Sequence, residues 1–259
     1  MKLKDTIHHN LYKQLFWVVL VLLLLFVSAQ TTGANIFEVL NNFDQMVLFL
    51  KRFLHPDWSY LPKILAPMLK TLQMSVFGTF IGVVIAIPFA FLGTTLVTRT
   101  QWITLPIRFL LGVIRTIPNL LLAALFVAMV GIGEVTGVLT IAVFTFGMVS
   151  QLIYEAIETI DHGPIEAAES VGANKLQIAF WSILPQIFHQ IINYTLYAFE
   201  VNIRASTVLG YVGAGGIGVI LNASLSLLRY DRVSVIIFTI LVVVIVIDWI
   251  SGRIRRKLV

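Results

Sequence analysis

The chain contains several apolar runs with few charged residues, and these runs are the candidates for helices that cross a membrane. A spanning helix needs about 20 mostly apolar residues to cross a hydrocarbon core of about 30 Å. The first run covers residues 15–27. Five more spans are predicted at residues 71–92, 106–130, 137–156, 187–210 and 233–250. The pattern therefore predicts an all-α polytopic membrane protein with about six transmembrane helices.

The first apolar run has two interpretations. Basic residues precede it, and Val27-Ser28-Ala29 offers small residues at its end, which is typical of a cleaved signal peptide. A retained transmembrane helix is the interpretation that we favour, because the rest of the chain also has the composition of a membrane protein. The later helices keep their orientation in either case.

Residues 31–70 mix charged residues with prolines and apolar positions. Residues 36–54 form an amphipathic pattern, which is typical of a helix that lies at the membrane surface. Pro56, Pro62 and Pro67 are expected to interrupt any longer helix. We therefore predict an N-terminal part at residues 1–70, with a first helix and an external segment, and a transmembrane domain at residues 71–259.

Composition excludes several classes of protein. The chain is 58% hydrophobic and only 12% charged, and its mean hydropathy is +0.93. A soluble domain has roughly 25% charged residues, so a soluble enzyme, a disordered protein and a nucleic-acid-binding domain are all excluded. The chain has no cysteine, which excludes disulfides and thiolate metal sites.

Basic residues predict the orientation in the membrane. With six spans and the N-terminus inside, the inner side receives eleven Lys and Arg residues and the outer side six. Cytoplasmic loops carry the excess of such residues, so both termini are predicted to be cytoplasmic, as is the connection at residues 157–186. Its acidic residues, which include Glu158 and Glu169, are unusual for an inner loop and suggest a surface for a partner.

The 157–186 loop has the pattern of two short helices around a glycine. Pro164 suits the first position of a helix, and Glu166 falls in the first turn, where a negative charge is favourable. Gly172 ends this helix, and a second helical stretch is predicted to stop at Pro185. A docking surface and a simple surface linker both fit the composition.

Two charged residues lie inside the fifth predicted span. Glu200 and Arg204 are four residues apart, so they share a helix face and can pair. A charge within a span marks a pathway or a paired structural site, and the arginine fork suits a tetrahedral oxyanion. Arg115 is either an anchor on the inner side or a second residue of the pathway, and Pro118 beyond it is expected to kink the third span.

A cluster of glycines follows the fifth span. It contains a literal G-x-G-x-x-G, but no strand–helix–strand unit surrounds it, so dinucleotide binding is rejected. The cluster is predicted to break a helix near the outer face, where glycines permit a gate or close backbone packing. The glycines concerned are Gly210, Gly213, Gly215, Gly216 and Gly218.

The inner loop resembles the EAA loop of ABC importer permeases. The resemblance lies in Glu166-Ala167-Ala168-x-x-x-Gly172 followed by Ile183-Leu184-Pro185, and the sequence departs from the pattern at Ser182, where the family has Ile. In the family this loop forms the coupling helices that dock into a groove of the ATPase subunit. The resemblance implies the same role for Glu166, Ala167, Ala168, Gly172 and Pro185, within the type I importer fold.

Further motifs resemble the phosphonate-importer permeases. They include Arg115-Thr116-Ile117-Pro118 and the segment from Phe199 through Glu200-x-Asn202-x-Arg204 to Gly218. The resemblance implies a phosphonate or related phosphorus oxyanion as cargo. It also implies a second copy of the chain, an ABC ATPase dimer that holds ATP and Mg, and an extracytoplasmic binding protein.

The chain itself is not expected to be an enzyme or to hold a cofactor. It has no G-x-x-x-x-G-K-[ST] phosphate-binding loop, so ATP hydrolysis is expected in a partner subunit. Another ABC substrate, such as methionine or phosphate, is one alternative. An ion-coupled secondary transporter that uses Glu200 as its ion site is the other.

Overall fold

The computed structural model describes residues 11–33 and 36–258. The chain divides into two compact units, with the boundary between residues 52 and 53. Every regular element in the described part of the chain is helical. The N-terminal unit contains α1 (Leu11–Thr32), α2 (Ile36–Asn41) and most of α3 (Phe43–Phe53). The predicted all-α fold class is confirmed.

The N-terminal unit consists of one apolar helix and two short ones. α1 buries none of its side chains within the chain, as expected of a helix that faces lipid all round. α3 is amphipathic, with Asp44 in its first turn and Lys51 and Arg52 in its last, which matches the helix dipole at both ends. The amphipathic pattern predicted over residues 36–54 is thus present in α3.

The second unit, which begins at residue 53, contains the remaining helices. In chain order they are α4 (Leu61–Leu92), α5 (Thr95–Thr98), α6 (Gln101–Thr116), α7 (Asn119–Val130), α8 (Glu134–Ile157), α9 (Gly163–Ser170), α10 (Lys175–Gln177), α11 (Leu184–Leu209), α12 (Ile217–Ser226) and α13 (Tyr230–Leu258). Short helical turns of other types lie at Trp58–Tyr60, Ile178–Ile183 and Gly210–Val212.

Four described helices are long and apolar enough to span a membrane, namely α1, α4, α8 and α13. Two bent pairs raise the total to six, in agreement with the prediction. The axes of α6 and α7 form an angle of 92°. The continuous helix Lys175–Val212, which contains α11, forms an angle of 50° with α12. The kink predicted at Pro118 is confirmed, because proline excludes helical backbone at Ile117, whose ψ is 120°.

The helix interruptions predicted at Pro62 and Pro67 are wrong. α4 begins at Leu61 and passes through Pro67, so residues 53–70 belong to the second unit. Proline lacks one backbone donor, but the loss is outweighed here by burial of Ile64 and Met68 on either side. The Thr71 hydroxyl also donates to the Pro67 carbonyl, at 3.0 Å.

α4 and α8 form the central helix pair. An added Cβ at Gly78 would lie 2.6 Å from Ile141 Cβ, and one at Gly82 would lie 2.6 Å from Thr145 Cβ. Carbon atoms need about 3.5–4.0 Å, so both glycines are required for this approach. Small residues four apart are the usual means of close helix packing in membranes.

Contacts near the two ends of α4 show which helix ends lie together in the second unit. At its beginning, the Arg232 guanidinium of α13 lies 4.8 Å from the Tyr60 ring centroid. At its other end, Arg108 Nε of α6 donates to the Gly93 carbonyl at 2.7 Å, and Arg108 also pairs with Glu158, just before α9. Because α13 begins beside the start of α4, its C-terminal tail runs toward the end that carries α9, which we call the α9 end.

Candidate translocation and coupling sites

α9 is held in place by buried and hydrogen-bonded residues around its first turn. Ile165 is buried, and Ser182 Oγ donates to the Pro164 carbonyl at 3.1 Å. The departure from the EAA pattern at Ser182 therefore places a hydroxyl that fastens the loop. Glu166 and Ala167 are exposed, so the first turn presents a carboxylate outward.

Gly172 makes the turn that follows α9. Its φ is +81°, a conformation that glycine adopts without strain. The Ala173 N–H donates to the Ala168 carbonyl at 3.0 Å, which closes the end of the helix. Asn174 and Gln177 then form a capping box that starts α10.

The predicted stop at Pro185 is wrong. The chain passes from α10 through the π-helical turn Ile178–Ile183 directly into α11. Pro185 lies in the first turn of α11, directly after the π-helical turn, and its missing N–H removes one backbone hydrogen bond from the continuous helix. Pro185 therefore begins the long helix, and the loop is joined to it without a break.

The acidic residues of the loop are partly used inside the chain. Glu169 pairs with Arg99, and Glu158 pairs with Arg108. Lys175 Nζ also donates to the Thr98 carbonyl at 2.9 Å. Glu158 and Glu169 therefore brace the loop against the α5–α6 region, and the partner surface predicted for the acidic residues stays a prediction.

An apolar surface remains uncovered on this braced loop. Val171 is 83% exposed and Trp181 is 81% exposed, and Leu176 lies between them in sequence with 70% exposure. Exposed apolar patches of this kind mark interaction sites. The loop thus combines a fixed backbone with an apolar face and the carboxylate of Glu166.

Hydrogen bonds show how deep the charged part of α11 lies. Asn202 Nδ2 donates to Thr79 Oγ1 at 2.8 Å, and the hydroxyls of Ser75 and Ser206 lie 3.4 Å apart. Residues 202–206 are therefore level with the middle of α4. At 1.5 Å per residue, that position is about 20 Å from either end of α4.

The predicted pairing of Glu200 with Arg204 is wrong. The Glu200 carboxylate, whose side chain is 10% exposed, pairs with Arg255 from the tail of α13. Arg204 Nε donates to the backbone carbonyl of Glu200 at 3.2 Å, and its side chain is exposed. Within the described chain no carboxylate pairs with Arg204.

A polar stripe on α11 was missed by the sequence reasoning. Its members follow one another at intervals of three and four residues, which places them on one face of the helix. We define the α11 polar stripe as Gln190, Asn193, Tyr197, Glu200 and Arg204. The signal was available as helical periodicity of polar residues in an apolar span.

The glycine cluster forms a tight turn that joins α11 to α12. Gly213, Gly215 and Gly216 all have positive φ, of +85°, +82° and +71°. A Cβ on Gly218 would lie 2.8 Å from Gly210 Cα, so neither glycine has room for a side chain. The predicted helix break is confirmed, and these five glycines are needed for the local backbone.

Hydrogen bonds fix this turn to its neighbours. Thr71 Oγ1 of α4 accepts the Ile217 N–H at 2.7 Å. The Gly133 N–H, between α7 and α8, donates to the Gly213 carbonyl at 3.0 Å. The turn therefore links three parts of the bundle, and it lies nearer the start of α4 than Arg204 does.

Arg115 occupies the last turn of α6, where its positive charge matches the helix dipole. Its side chain is exposed, and the residue lies three positions before Pro118, where the span is broken. Its anchor and pathway roles stay predictions. Across residues 11–33 and 36–258, no group of three or more His, Asp or Glu residues is arranged to hold a metal ion.

Broken spans, unpaired charge at mid-bundle and a braced surface loop define a multi-pass membrane transport component. The chain belongs to the family described as the binding-protein-dependent transport system inner membrane component, whose model matches residues 78–259. Members are transport subunits of ABC importers, and ATP is hydrolysed in a separate subunit. This membership sets aside the ion-coupled alternative.

Relatives and solved structures agree with this assignment. The chain is 37% identical to a phosphite transport system permease protein of Stutzerimonas stutzeri, over 84% of this chain and 79% of the relative. It is 38% identical to a phosphate-import permease protein of Mycolicibacterium smegmatis, over 73% of this chain but 36% of that relative. An inward-facing structure of the MetNI methionine transporter matches with a TM-score of 0.70 at 20% identity, covering 78% of this chain and 99% of that one. The fold is that of a type I ABC importer permease.

Proposed function

We propose that the chain is the permease of an importer for phosphonate or a related phosphorus oxyanion, such as phosphite, phosphate or a phosphate ester. Two copies would assemble with an ABC ATPase dimer and an extracytoplasmic binding protein in the bacterial cytoplasmic membrane. Both termini would be cytoplasmic, in agreement with the distribution of basic residues. The names of the relatives support this cargo class.

Arg204 is the observation that carries the proposal. An arginine at mid-bilayer costs about 3 kcal/mol on insertion scales, so it must face protein or an aqueous pathway. Arg204 is level with the middle of α4, is exposed on its own chain, and has no carboxylate partner among the described residues. An anion in transit between two copies would meet this guanidinium, whose planar fork matches a tetrahedral oxyanion.

The 157–186 loop would transmit the motion of the ATPase. Glu166, Ala167 and the apolar surface at Val171 and Trp181 would face the ATPase. The ion pairs of Glu158 with Arg108 and of Glu169 with Arg99 hold the loop to the α5–α6 region. Because the loop continues into α11 through a π-helical turn, a displacement at α9 would reach Arg204 along one helix. The chain itself would position and gate, with no bond made or broken.

The test is uptake of labelled methylphosphonate and phosphite by proteoliposomes that contain the permease, its ATPase and its binding protein. Arg204→Leu should lower the initial uptake rate about tenfold or more, because a charge-assisted hydrogen bond is worth about 1.5–3 kcal/mol. Arg204→Lys should retain part of the rate. Arg229→Gln removes the same charge from an exposed loop between α12 and α13 and should transport normally.

Two results would contradict the proposal. One is full uptake by Arg204→Leu in a complex that is present at the wild-type amount. The other is an assembled transporter whose ATPase activity responds to its binding protein loaded with another substrate class and to none of the phosphorus oxyanions.

A further inference from the structure

A large cavity opens between α8, α11 and the tail of α13. Its volume is about 860 Å³, which lies within the range of about 300–1,000 Å³ found for small-molecule sites. It is lined by Leu152, Asn193, Tyr194, Tyr197, Arg255 and Arg256. Two guanidinium groups, two phenols and an amide thus face one space, in a chain that has few charges.

The charges of this cavity are only partly balanced. Arg255 pairs through Nη2 with Glu200, and the single hydrogen bond recorded for Arg256 runs from Nε to the Gly252 carbonyl of its own helix, at 3.3 Å. Within the described chain no carboxylate pairs with Arg256. Glu200 neutralises the charge of Arg255, so the positive charge of Arg256 remains available to an anion.

Buried polar atoms in the same place lack partners. Arg255 Nε and Asn193 Oδ1 are both buried and make no hydrogen bond with any described residue. An unpaired buried donor or acceptor costs about 1–3 kcal/mol, so such atoms call for an unseen partner. Both atoms have almost no accessible surface, so they lie behind the cavity wall and an anion would reach them only after a side-chain movement.

We propose that this cavity binds a tetrahedral oxyanion of phosphorus. The Arg256 guanidinium would hold the charged oxygens, and the hydroxyls of Tyr194 and Tyr197 would donate further hydrogen bonds. A free phosphonate or phosphate and the phosphate of a lipid headgroup share this chemistry, and the experiment below separates them.

The position of the cavity suggests why a transporter would carry this site. It lies along α11 on the way from Arg204 to the α9 end, because Asn193 and Tyr197 belong to the same polar stripe as Arg204. This step rests on the proposed function: an oxyanion that passes Arg204 would meet this second site next. Occupancy would also compete with Glu200 for Arg255 and so loosen the hold of α11 on the tail of α13.

Binding can be measured on the full-length chain alone, in micelles of a maltoside detergent, which carries no phosphate. The probe is radiolabelled inorganic phosphate in equilibrium dialysis, with methylphosphonate as competitor. Arg256→Gln should raise the dissociation constant about tenfold, as expected for loss of one charge-assisted contact. Arg256 is chosen because Arg255→Gln would leave Glu200 buried and unpaired.

Arg253→Gln is the matched control. Arg253 lies on the same helical tail with the same charge, but its guanidinium sits 4.8 Å from the Trp249 ring centroid, away from this cavity. This variant should bind phosphate within about twofold of the unaltered chain, since only screened long-range attraction is removed. Equal losses in Arg253→Gln and Arg256→Gln, or no saturable binding of phosphate or lipid phosphate, would overturn the proposal.

The lipid arm repeats the measurement in nanodiscs that contain phosphatidylglycerol. Competition by that lipid, together with Arg256-dependent retention of it in native mass spectrometry, would assign the cavity to a headgroup phosphate. Phosphate binding that is unaffected by the lipid would assign it to the free anion.

The Arg204→Leu variant keeps the two proposals apart. It should lose uptake yet bind phosphate normally in this assay. Loss of phosphate binding in Arg204→Leu but not in Arg256→Gln would overturn the cavity site while leaving the proposed function in place.

Discussion

Replacing Gly218 by alanine would place a methyl group where the backbone of the preceding turn already lies. The new Cβ would be 2.8 Å from Gly210 Cα and 2.9 Å from Gly210 N, and closer still to the Thr207 carbonyl. Carbon contacts need about 3.5 Å, so the contact with Gly210 Cα alone would require α11 and α12 to separate by roughly 0.7 Å, and the closer Thr207 carbonyl would require more. All the obstructing atoms belong to the backbone, which has no rotamer to change.

The expected loss follows from two opposing effects. Alanine in a helix is favoured over glycine by about 1 kcal/mol, whereas overpacking costs about 1–3 kcal/mol and more where the backbone must move. The hydrogen bond from the Ile217 N–H to Thr71 holds the turn from the other side and opposes relaxation. A net destabilisation of about 2 kcal/mol is expected.

The assay is thermal unfolding of the purified chain in detergent, followed by tryptophan fluorescence at one fixed scan rate. About 2 kcal/mol should lower the apparent Tm by about 4–8 °C for a chain of this size. Gly112→Ala is the matched control, because no atom lies within 4 Å of the Cβ it would add. That variant should be as stable as the original or slightly more so.

The reasoning would be refuted if both variants unfolded at the wild-type temperature, since the contact between Gly210 and Gly218 would then be absent or freely adjustable. It would equally be refuted if Gly112→Ala lost as much stability as Gly218→Ala, because the effect would then come from losing glycine rather than from the contact.

Four further substitutions test the coupling loop and the anchoring of α11. Gly172→Ala forces a side chain into φ +81° at a cost of about 1–2 kcal/mol, although space is free, and Glu166→Gln removes the exposed carboxylate. Each should lower uptake more than ATPase activity in the assembled complex, and parallel losses would contradict a coupling role. Asn202→Leu should cost about 1 kcal/mol in apparent stability, because hydrogen bonds between membrane helices average about 0.6 kcal/mol; unchanged unfolding would contradict its role as a brace. Glu200→Gln should speed hydrogen exchange in the tail around Arg255, and unchanged exchange would show that the ion pair does not hold it.

Most of the helical framework was predictable because it follows from local pattern. Apolar length located the spans, and proline at residue 118 located the bend between α6 and α7. The start of α4 was not predictable, since local propensity at Pro67 opposes a helix that only tertiary burial stabilises. The turn at Gly172 was predictable, because the need for positive φ selects glycine.

The charge pairs could not be predicted because their partners are far apart in sequence. A spacing of four residues favoured Arg204 as the partner of Glu200, but the carboxylate reaches Arg255, which is 55 residues away. In the same way, Glu158 pairs with Arg108 across 50 residues. Sequence spacing reports what one helix face permits, whereas pairing depends on how helices pack.

α11 separates its two tasks by using opposite faces. Asn202 and Ser206 face α4 and are fully buried, while the α11 polar stripe lies on the other side of the helix at 100° per residue. The Asn202 amide reaches threonines on both α4 and α8, so this face is fixed to the central helix pair. A guanidinium without a carboxylate partner can be held at one depth only by a backbone that does not slide. The buried hydrogen bonds of Asn202 are therefore a condition for Arg204 to act on an anion. Asn202→Leu should accordingly reduce the contribution of Arg204 to the uptake rate.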